Sequence, residues 1–468
     1  MDGIRTLNSM PAVERFSIFG LHGYKNLTVE FPGPATVVAA ENGTGKTTLL
    51  NAFNAFLSRR FHRLNSLNFS KIECVFAGES FPVVLERRLM GGSASNSDLL
   101  LHAASKANVS PEEVMDFLLG QYSPERYDTL KHTPNSVAQA LYINTPADEA
   151  RSILESLYQS YGASLTDYAK DVALRLQHEV GDREVMYLPT YRRVEKPLLR
   201  TSRKESSPSG FFPGERKKSY AYQGINFGLG DIEARLAELS EEIERQSNFG
   251  YRASSAQILQ DMSAGPSAQL PEQAGGLPSI ETLTLFLGRL GKTERNISQI
   301  FHNIRGLYET NLIQSRDYAH LRYFLNRLGQ VANETKYLEQ RIERFVDVCN
   351  GYLQMSSDEK KLAFDPATLK VVVKNVWANA EVPLDDLSSG EKQIVSLMAK
   401  LYLYEGKKIV LIDEPELSLS IDWQRKVLPD VMSSGNVDQM LAITHSPFIF
   451  ENDLNAFTTT VQASRFLG

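Results

Sequence analysis

Lys46 and Thr47 belong to the stretch AENGTGKTTLL, residues 40–50, where they follow Gly43 and Gly45. That spacing suits a loop built to hold phosphate. The apolar run at residues 35–40 reads as a strand, and the pattern from Lys46 to about Leu57 reads as a helix. Between them, the backbone N–H groups of Asn42, Gly43, Thr44 and Gly45 make an anion nest, and the helix N-terminus adds partial positive charge. The glycines let the backbone approach phosphate where a Cβ would collide. Lys46 supplies a point charge for the β- and γ-phosphates, and the Thr47 hydroxyl, followed by Thr48, is placed to ligate Mg²⁺. Ala40 stands where GxxxxGK[ST] has its first glycine, at a strand end that tolerates a small residue.

Three further clusters lie near the other end of the chain. LSSGEKQ, residues 387–393, opens an apolar-periodic helix that runs to about Leu403. Its Ser389, Gly390 and Glu391 lie at a helix N-terminus, a second anion-binding surface. If the first loop already encloses the phosphates, this turn serves a nucleotide held between two subunits. KIVLIDEPE, residues 408–416, contains four consecutive apolar residues, as a strand buried on both faces requires. Asp413 at its carboxyl end can hold the shell of a Mg²⁺ ion, and Glu414 can polarise an attacking water as general base. Such paired acids are costly unless cations are near, and Mg²⁺ and Lys46 supply them. MLAITHSP, residues 440–447, is another short buried strand ending at His445, an imidazole suited to sensing a γ-phosphate oxygen.

The intervening chain must position these clusters. Residues 16–31 read as two strands around a turn at residues 21–26, where Tyr24 or Lys25 is either near an adenine or part of an ordinary hairpin. SRRFHRLN, residues 58–65, is either a basic face or a helix end favoured by the macrodipole. Residues 71–77 and 82–86 extend the antiparallel strands, and residues 96–180 turn helical. Residues 184–195 give a short strand and then a Tyr-Arg-Arg cluster, whose Arg192 and Arg193 either steady phosphate or bond to carboxylates and carbonyls. The segment at 198–224 reads as a mobile loop; Arg200, Arg203, Lys204, Arg216, Lys217 and Lys218 make it the most basic part of the chain. Ile232, Leu236, Leu239 and Ile243 keep heptad spacing for about two heptads, too few for a long coiled-coil arm. A low-complexity linker at 263–278 precedes further helix to about Tyr352, and residues 364–377 read as a turn and then a strand.

The 468 residues carry a formal net charge of −6, which excludes wholesale coating of nucleic acid and leaves only local basic patches. Two cysteines far apart, Cys74 and Cys349, fit a reducing compartment. The first sixteen residues hold no apolar leader, and no apolar run is long enough to span a bilayer. A cytoplasmic protein is therefore expected.

Taken in order, AENGTGKTT, LSSGEKQ, VLIDEPE and ITHSP resemble the ABC-type ATPase head, closest to the RecF/SMC-like and OLD-like branch. FGLHGYKNLTVEF is similar to the opening strands of that branch. The resemblance implies an α/β fold: a P-loop ATPase head with a mixed sheet, an antiparallel N-terminal edge and a large helical insertion. It implies ATP and Mg²⁺ as cofactors, with Lys46 and Thr47 as the Walker A pair, Asp413 as the Walker B aspartate and Glu414 as the catalytic glutamate. Ser389 and Gly390 become the signature turn that meets ATP across a dimer, and His445 the switch histidine. Asp422 falls where the D-loop is expected, with Ser420 where related heads often carry His.

The expected division is 1–90 for the first half of the head, 91–182 for the helical insertion, and 183–197 for a core strand and the Tyr-Arg-Arg cluster. The basic loop at 198–224, a helical region at 225–362 and the second half of the head at 363–468 follow. The long gap before the signature sets the chain apart from transporter heads, and zinc-hook ATPases need a CxxC that is missing. The chain ends about twenty residues after His445, so any nuclease is expected on a separate chain. Stand-alone heads of this kind resemble the ATPase subunits of antiphage systems of the Septu, retron-linked and PARIS types. That resemblance implies a slow, regulatory ATPase that dimerises head to head or assembles further. Its implied partners are an HNH or TOPRIM nuclease and a phage trigger. The alternatives are a RecF/SMC-like repair ATPase acting directly on DNA and an assembly protein that binds ATP without turnover.

Overall fold

The computed structural model describes residues 10–39, 44–91, 97–133, 136–162, 166–189, 229–263, 277–290, 297–356 and 359–466. The strands of the N-terminal part are Val13–Leu21 (β1), Lys25–Glu30 (β2), Ala35–Ala39 (β3), Lys71–Phe76 (β4), Val83–Glu86 (β5) and Glu184–Leu188 (β6). Then come Lys360–Asp365 (β7), Lys370–Asn375 (β8), Ala380–Val382 (β9), Lys408–Asp413 (β10), Val437–Thr444 (β11), Thr458–Thr459 (β12) and Gln462–Arg465 (β13). The chain divides into two compact units, one of Met1–Gly228 with Glu405–Gly468 and one of Leu229–Tyr404. Among the described residues, no helix is long and apolar enough to cross a membrane.

The first unit holds two five-stranded sheets. One is parallel, in the order β12-β3-β11-β10-β6, and the other antiparallel, β13-β2-β1-β4-β5. All six residues of β10 are buried, as befits a central strand flanked by β11 and β6. The antiparallel strands alternate instead: Ile72, Cys74 and Phe76 of β4 are buried while their neighbours are partly exposed. The helix Lys46–Leu57 shares one core with both sheets, where Phe53 and Phe56 meet Phe16 of β1 with centroids 4.6 and 5.9 Å apart. The Gln439 amide of β11 fixes the sheets in register: it accepts from Val13 N at 2.8 Å and donates to Val13 O at 2.9 Å.

The helices between residues 97 and 162 enclose their own core, which includes Val114, Phe117, Leu118, Leu154 and Leu157. Asp116, on the helix Pro111–Gly120, receives Arg63 Nη2 at 2.6 Å, His62 Nε2 at 2.9 Å and Arg60 Nη1 at 3.2 Å. The basic stretch at 58–65 thus turns three of its side chains onto one carboxylate. Burial opposes ionisation of Asp116, but the His62 bond and the two guanidinium groups outweigh it and hold the carboxyl below its usual range.

In the second unit the helix Leu229–Ser263 has 35 residues, well beyond the two heptads legible from Ile232 to Ile243. It lies along the 38-residue helix Ala319–Ser356. Gly250 permits the contact, since a Cβ there would meet Val331 Cγ1 at 2.6 Å. Arg289 forks onto Glu339 with two bonds of 2.7 Å. Residues 364–377 hold the expected turn and then a strand, β8; the strand before the turn, β7, begins at Lys360 and pairs antiparallel with β8, and β9 completes a three-stranded sheet. The Tyr-Arg-Arg cluster, the basic loop at 198–224 and most of the linker at 263–278 lie outside the described residues.

Asp116→Ala leaves its basic partners without their acceptor and is expected to cost about 1–3 kcal/mol in denaturant unfolding at pH 7. Because folding lowers the Asp116 pKa below an unfolded value of about 3.9, this stabilisation is complete above about pH 5. It is lost as pH falls through the folded value, so the gap between wild type and variant narrows on acidification. A gap that stays constant down to about pH 2 contradicts this account.

Candidate functional site

The parallel sheet decides what meets at its carboxyl edge. Thr444 of β11 pairs with Ala39 of β3, and Asp413 of β10 pairs with Ile443 of β11. The next residues of all three strands therefore leave the sheet at one level, where open α/β sheets bind ligands. Among the described residues these are Glu414 and His445.

Gly45 caps the helix Lys46–Leu57 with φ of 93° and ψ of 20°, a left-handed conformation that opens the first turn. Its neighbour Lys46 is 6 % exposed, and Thr47 on the same turn is exposed. Burial pushes the Lys46 ammonium below its usual pKa, and Glu414, Asp413 and Glu416 oppose that shift. Lys46 Nζ lies 3.0 Å from His445 Nε2 and 3.4 Å from Nδ1. His445 Nε2 is also 3.8 Å from Glu414 Oε1. Lys46, Glu414 and His445 thus form one contact group, with Asp413 buried beside them at the end of β10.

Glu414 has φ of 51°, the left-handed region that a non-glycine residue enters at a cost of about 1–3 kcal/mol. Its N–H still donates to Ile443 O at 2.8 Å, extending the β10–β11 ladder by one residue. The chain then turns sharply, Pro415 is buried, and Glu416 comes back beneath the end of β11.

Two residues that were not singled out in the sequence hold this edge together. Glu416 accepts from the Thr444 hydroxyl and from His445 N, each at 2.7 Å. Gln424 accepts from the Ser446 hydroxyl at 2.6 Å and donates to Leu419 O at 2.9 Å. The second carboxylate of EPE was the available signal for Glu416; nothing in the spacing marks Gln424. Lys25 is the member of the Tyr24–Lys25 pair that reaches the loop: its Nζ donates to Thr44 O at 2.7 Å, while Tyr24 is exposed. Asn42 and Gly43 lie outside the described residues.

Ser389, Gly390 and Glu391 belong to the second unit. Ser388 caps the helix Ser389–Tyr402, with its side chain accepting from Glu391 N and the Glu391 carboxylate accepting from Ser388 N. Glu391 is also 3.2 Å from Lys360 Nζ. Its carboxylate is therefore committed to capping, while Ser389 is exposed and Gly390 buried. At the other end, Arg235 and Arg341 both donate to Leu403 O, satisfying a terminal carbonyl.

Residues 15–102 match a family model described as "AAA domain". Residues 308–451 match one described as "AAA domain, putative AbiEii toxin, Type IV TA system". Among solved structures, the chain is similar to an Smc head domain with an extended coiled coil, bound to the C-terminal domain of ScpA, from Pyrococcus furiosus. That likeness is 12 % identical, covers 97 % of each chain and has a TM-score of 0.32. An Smc head domain with a coiled coil and joint from Pyrococcus yayanosii gives the same figures. The fold is that of a P-loop ATPase head, α/β with parallel and antiparallel strands and a large helical insertion.

Gly45→Ala places a Cβ 3.1 Å from Leu27 Cδ1 and forces alanine into φ of 93°. It is expected to lower stability by about 1–2 kcal/mol. Binding of a fluorescent ATP analogue should weaken at least about tenfold, because the nest and the helix start move together. Unchanged unfolding and unchanged binding would contradict the geometry described for this turn.

Proposed function

We propose that the chain binds ATP at the carboxyl edge of β3, β11 and β10 and hydrolyses it slowly as a regulatory subunit. The contact group of Lys46, Glu414 and His445, with separations of 3.0 and 3.8 Å, carries this reading. Lys46 offsets charge on the β- and γ-phosphates. Glu414, held at a strand end and bent toward His445, takes the proton of the attacking water. His445 donates to or accepts from the γ-phosphate environment as the charge there changes.

The donors Thr47 and Asp413 are both oxygens, as a hard divalent cation requires. Among the described residues no cluster of three or more His, Cys, Asp or Glu side chains could hold a metal alone. Mg²⁺ binds through one or two protein oxygens together with phosphates and water. Bound there, the ion would supply Lewis-acid polarisation of the phosphates.

The exposed Ser389 beside Gly390 serves the nucleotide of a second copy, so ATP closes a head-to-head dimer. A separate nuclease of HNH or TOPRIM type is the effector this dimer restrains or releases within an antiphage system. The match to a family described by AbiEii and type IV toxin–antitoxin systems supports a place in defence. Asp116 occupies the basic side chains at 58–65, which leaves that stretch less suited to holding DNA.

Phosphate release should be readily measurable for wild type and fall at least about a hundredfold in Lys46→Ala. Glu414→Gln should bind ATP, stall hydrolysis and elute from a sizing column as a dimer only with ATP. Hydrolysis indifferent to Lys46→Ala overturns the ATPase reading. A Glu414→Gln protein that binds ATP yet stays monomeric overturns the sandwich.

A further inference from the structure

The backbone that carries His445 is pinned on both sides by side chains from one loop and one helix start. On one side, Glu416 takes the Thr444 hydroxyl on one oxygen and the His445 N–H on the other, both at 2.7 Å. On the other side, Ser446 donates its hydroxyl to Gln424 Oε1 at 2.6 Å, and its N–H donates to Thr444 Oγ1 at 3.0 Å. Gln424 belongs to the helix Ile421–Ser433, and its amide also holds Leu419 O of the preceding loop. The loop is itself a chain of turns: Leu417 N donates to Glu414 O and Leu419 N to Glu416 O. Ser418 repeats the left-handed backbone of Glu414, with φ of 66°.

Each Glu416 oxygen accepts one of these two bonds, the arrangement of a clamp. The imidazole it orients is the one within 3.0 Å of Lys46 and 3.8 Å of Glu414. We propose that Glu416 is a positioning residue: it fixes the His445 imidazole for the γ-phosphate and ties it to the loop at 415–420, so that movement of that loop is passed to the histidine. The proposal rests on the ATPase reading above and extends it to a residue outside the reacting group.

A clamp and a charge predict different variants. Glutamine keeps a carbonyl for the His445 N–H and an amide for Thr444, whose hydroxyl turns to accept it. Alanine leaves the His445 N–H without its acceptor and the Thr444 hydroxyl with only the longer 3.4 Å bond to Ser446 O. Glu416→Ala is therefore expected to lower kcat for ATP hydrolysis about 10- to 100-fold, the scale of a misplaced group. KM for ATP should stay within about threefold, because binding does not use Glu416. Glu416→Gln should retain kcat within about fivefold of wild type. By hydrogen-exchange mass spectrometry, the His445 amide should exchange faster in Glu416→Ala and at the wild-type rate in Glu416→Gln, with peptides from β4 and β5 unchanged.

Wild-type kcat in Glu416→Ala, or a Glu416→Gln as impaired as Glu416→Ala, overturns the clamp. If wild type shows no Lys46-dependent hydrolysis, the ATPase reading fails, and exchange at His445 decides the clamp alone. Unchanged exchange there overturns it. Should Glu416→Ala fail to fold, Glu416→Asp serves in its place: its shorter side chain cannot span both acceptor positions, and the same fall in kcat and faster exchange are expected.

Discussion

The register of three parallel strands is the constraint on which the site depends. β3, β11 and β10 run side by side, and Ala39, Thr444 and Asp413 finish within one residue of each other. Whatever follows each strand must emerge at the same edge. A shift of one residue in any pairing would exchange the two faces of that strand and displace the residue that follows it, separating Lys46 from His445. The apolar runs of β10 and β11 are buried on both faces and seat these strands at the centre of the sheet. The Gln439 amide, bonded to both backbone groups of Val13, then fixes the antiparallel sheet against β11.

The charged edge is balanced by geometry. Asp413, Glu414 and Glu416 lie close to Lys46, and burial alone would disfavour its ammonium. Glu414 is partly exposed, with a left-handed backbone and its side chain 3.8 Å from His445 Nε2. Glu416 accepts from two donors, one on β11 and one on the residue after it. Strain at Glu414 and the clamp at Glu416 are thus two parts of one turn, and the backbone cost of the first is borne by the bonds of the second.

The parts legible in the sequence were those with a period or a fixed spacing. The 35–40 run, the helix from Lys46 and the KIVLID strand were read from alternation or apolar runs, and the structure has β3, the helix Lys46–Leu57 and β10 there. The helix Leu229–Ser263 outran its apolar pattern because Ser247, Gly250 and nearby small residues interrupt the heptads. It continues because Gly250 lets the neighbouring helix come close at Val331, a tertiary effect invisible along the chain. β7 begins with two lysines, inside the stretch to 362 expected to be helical; its pairing with β8 carries it. The Asp116 cluster joins residues some fifty positions apart, and Glu416 and Gln424 act through a turn, where no periodicity exists to be read.

The central claim is tested most directly by a crystal structure of Glu414→Gln with ATP and Mg²⁺. The account predicts the γ-phosphate beside Lys46 and His445, the cation on Thr47 and Asp413, and a second copy presenting Ser389 and Gly390 to the same phosphate. Nucleotide bound elsewhere on the chain, or bound at this edge with Lys46 and His445 both turned away from it, would contradict the account.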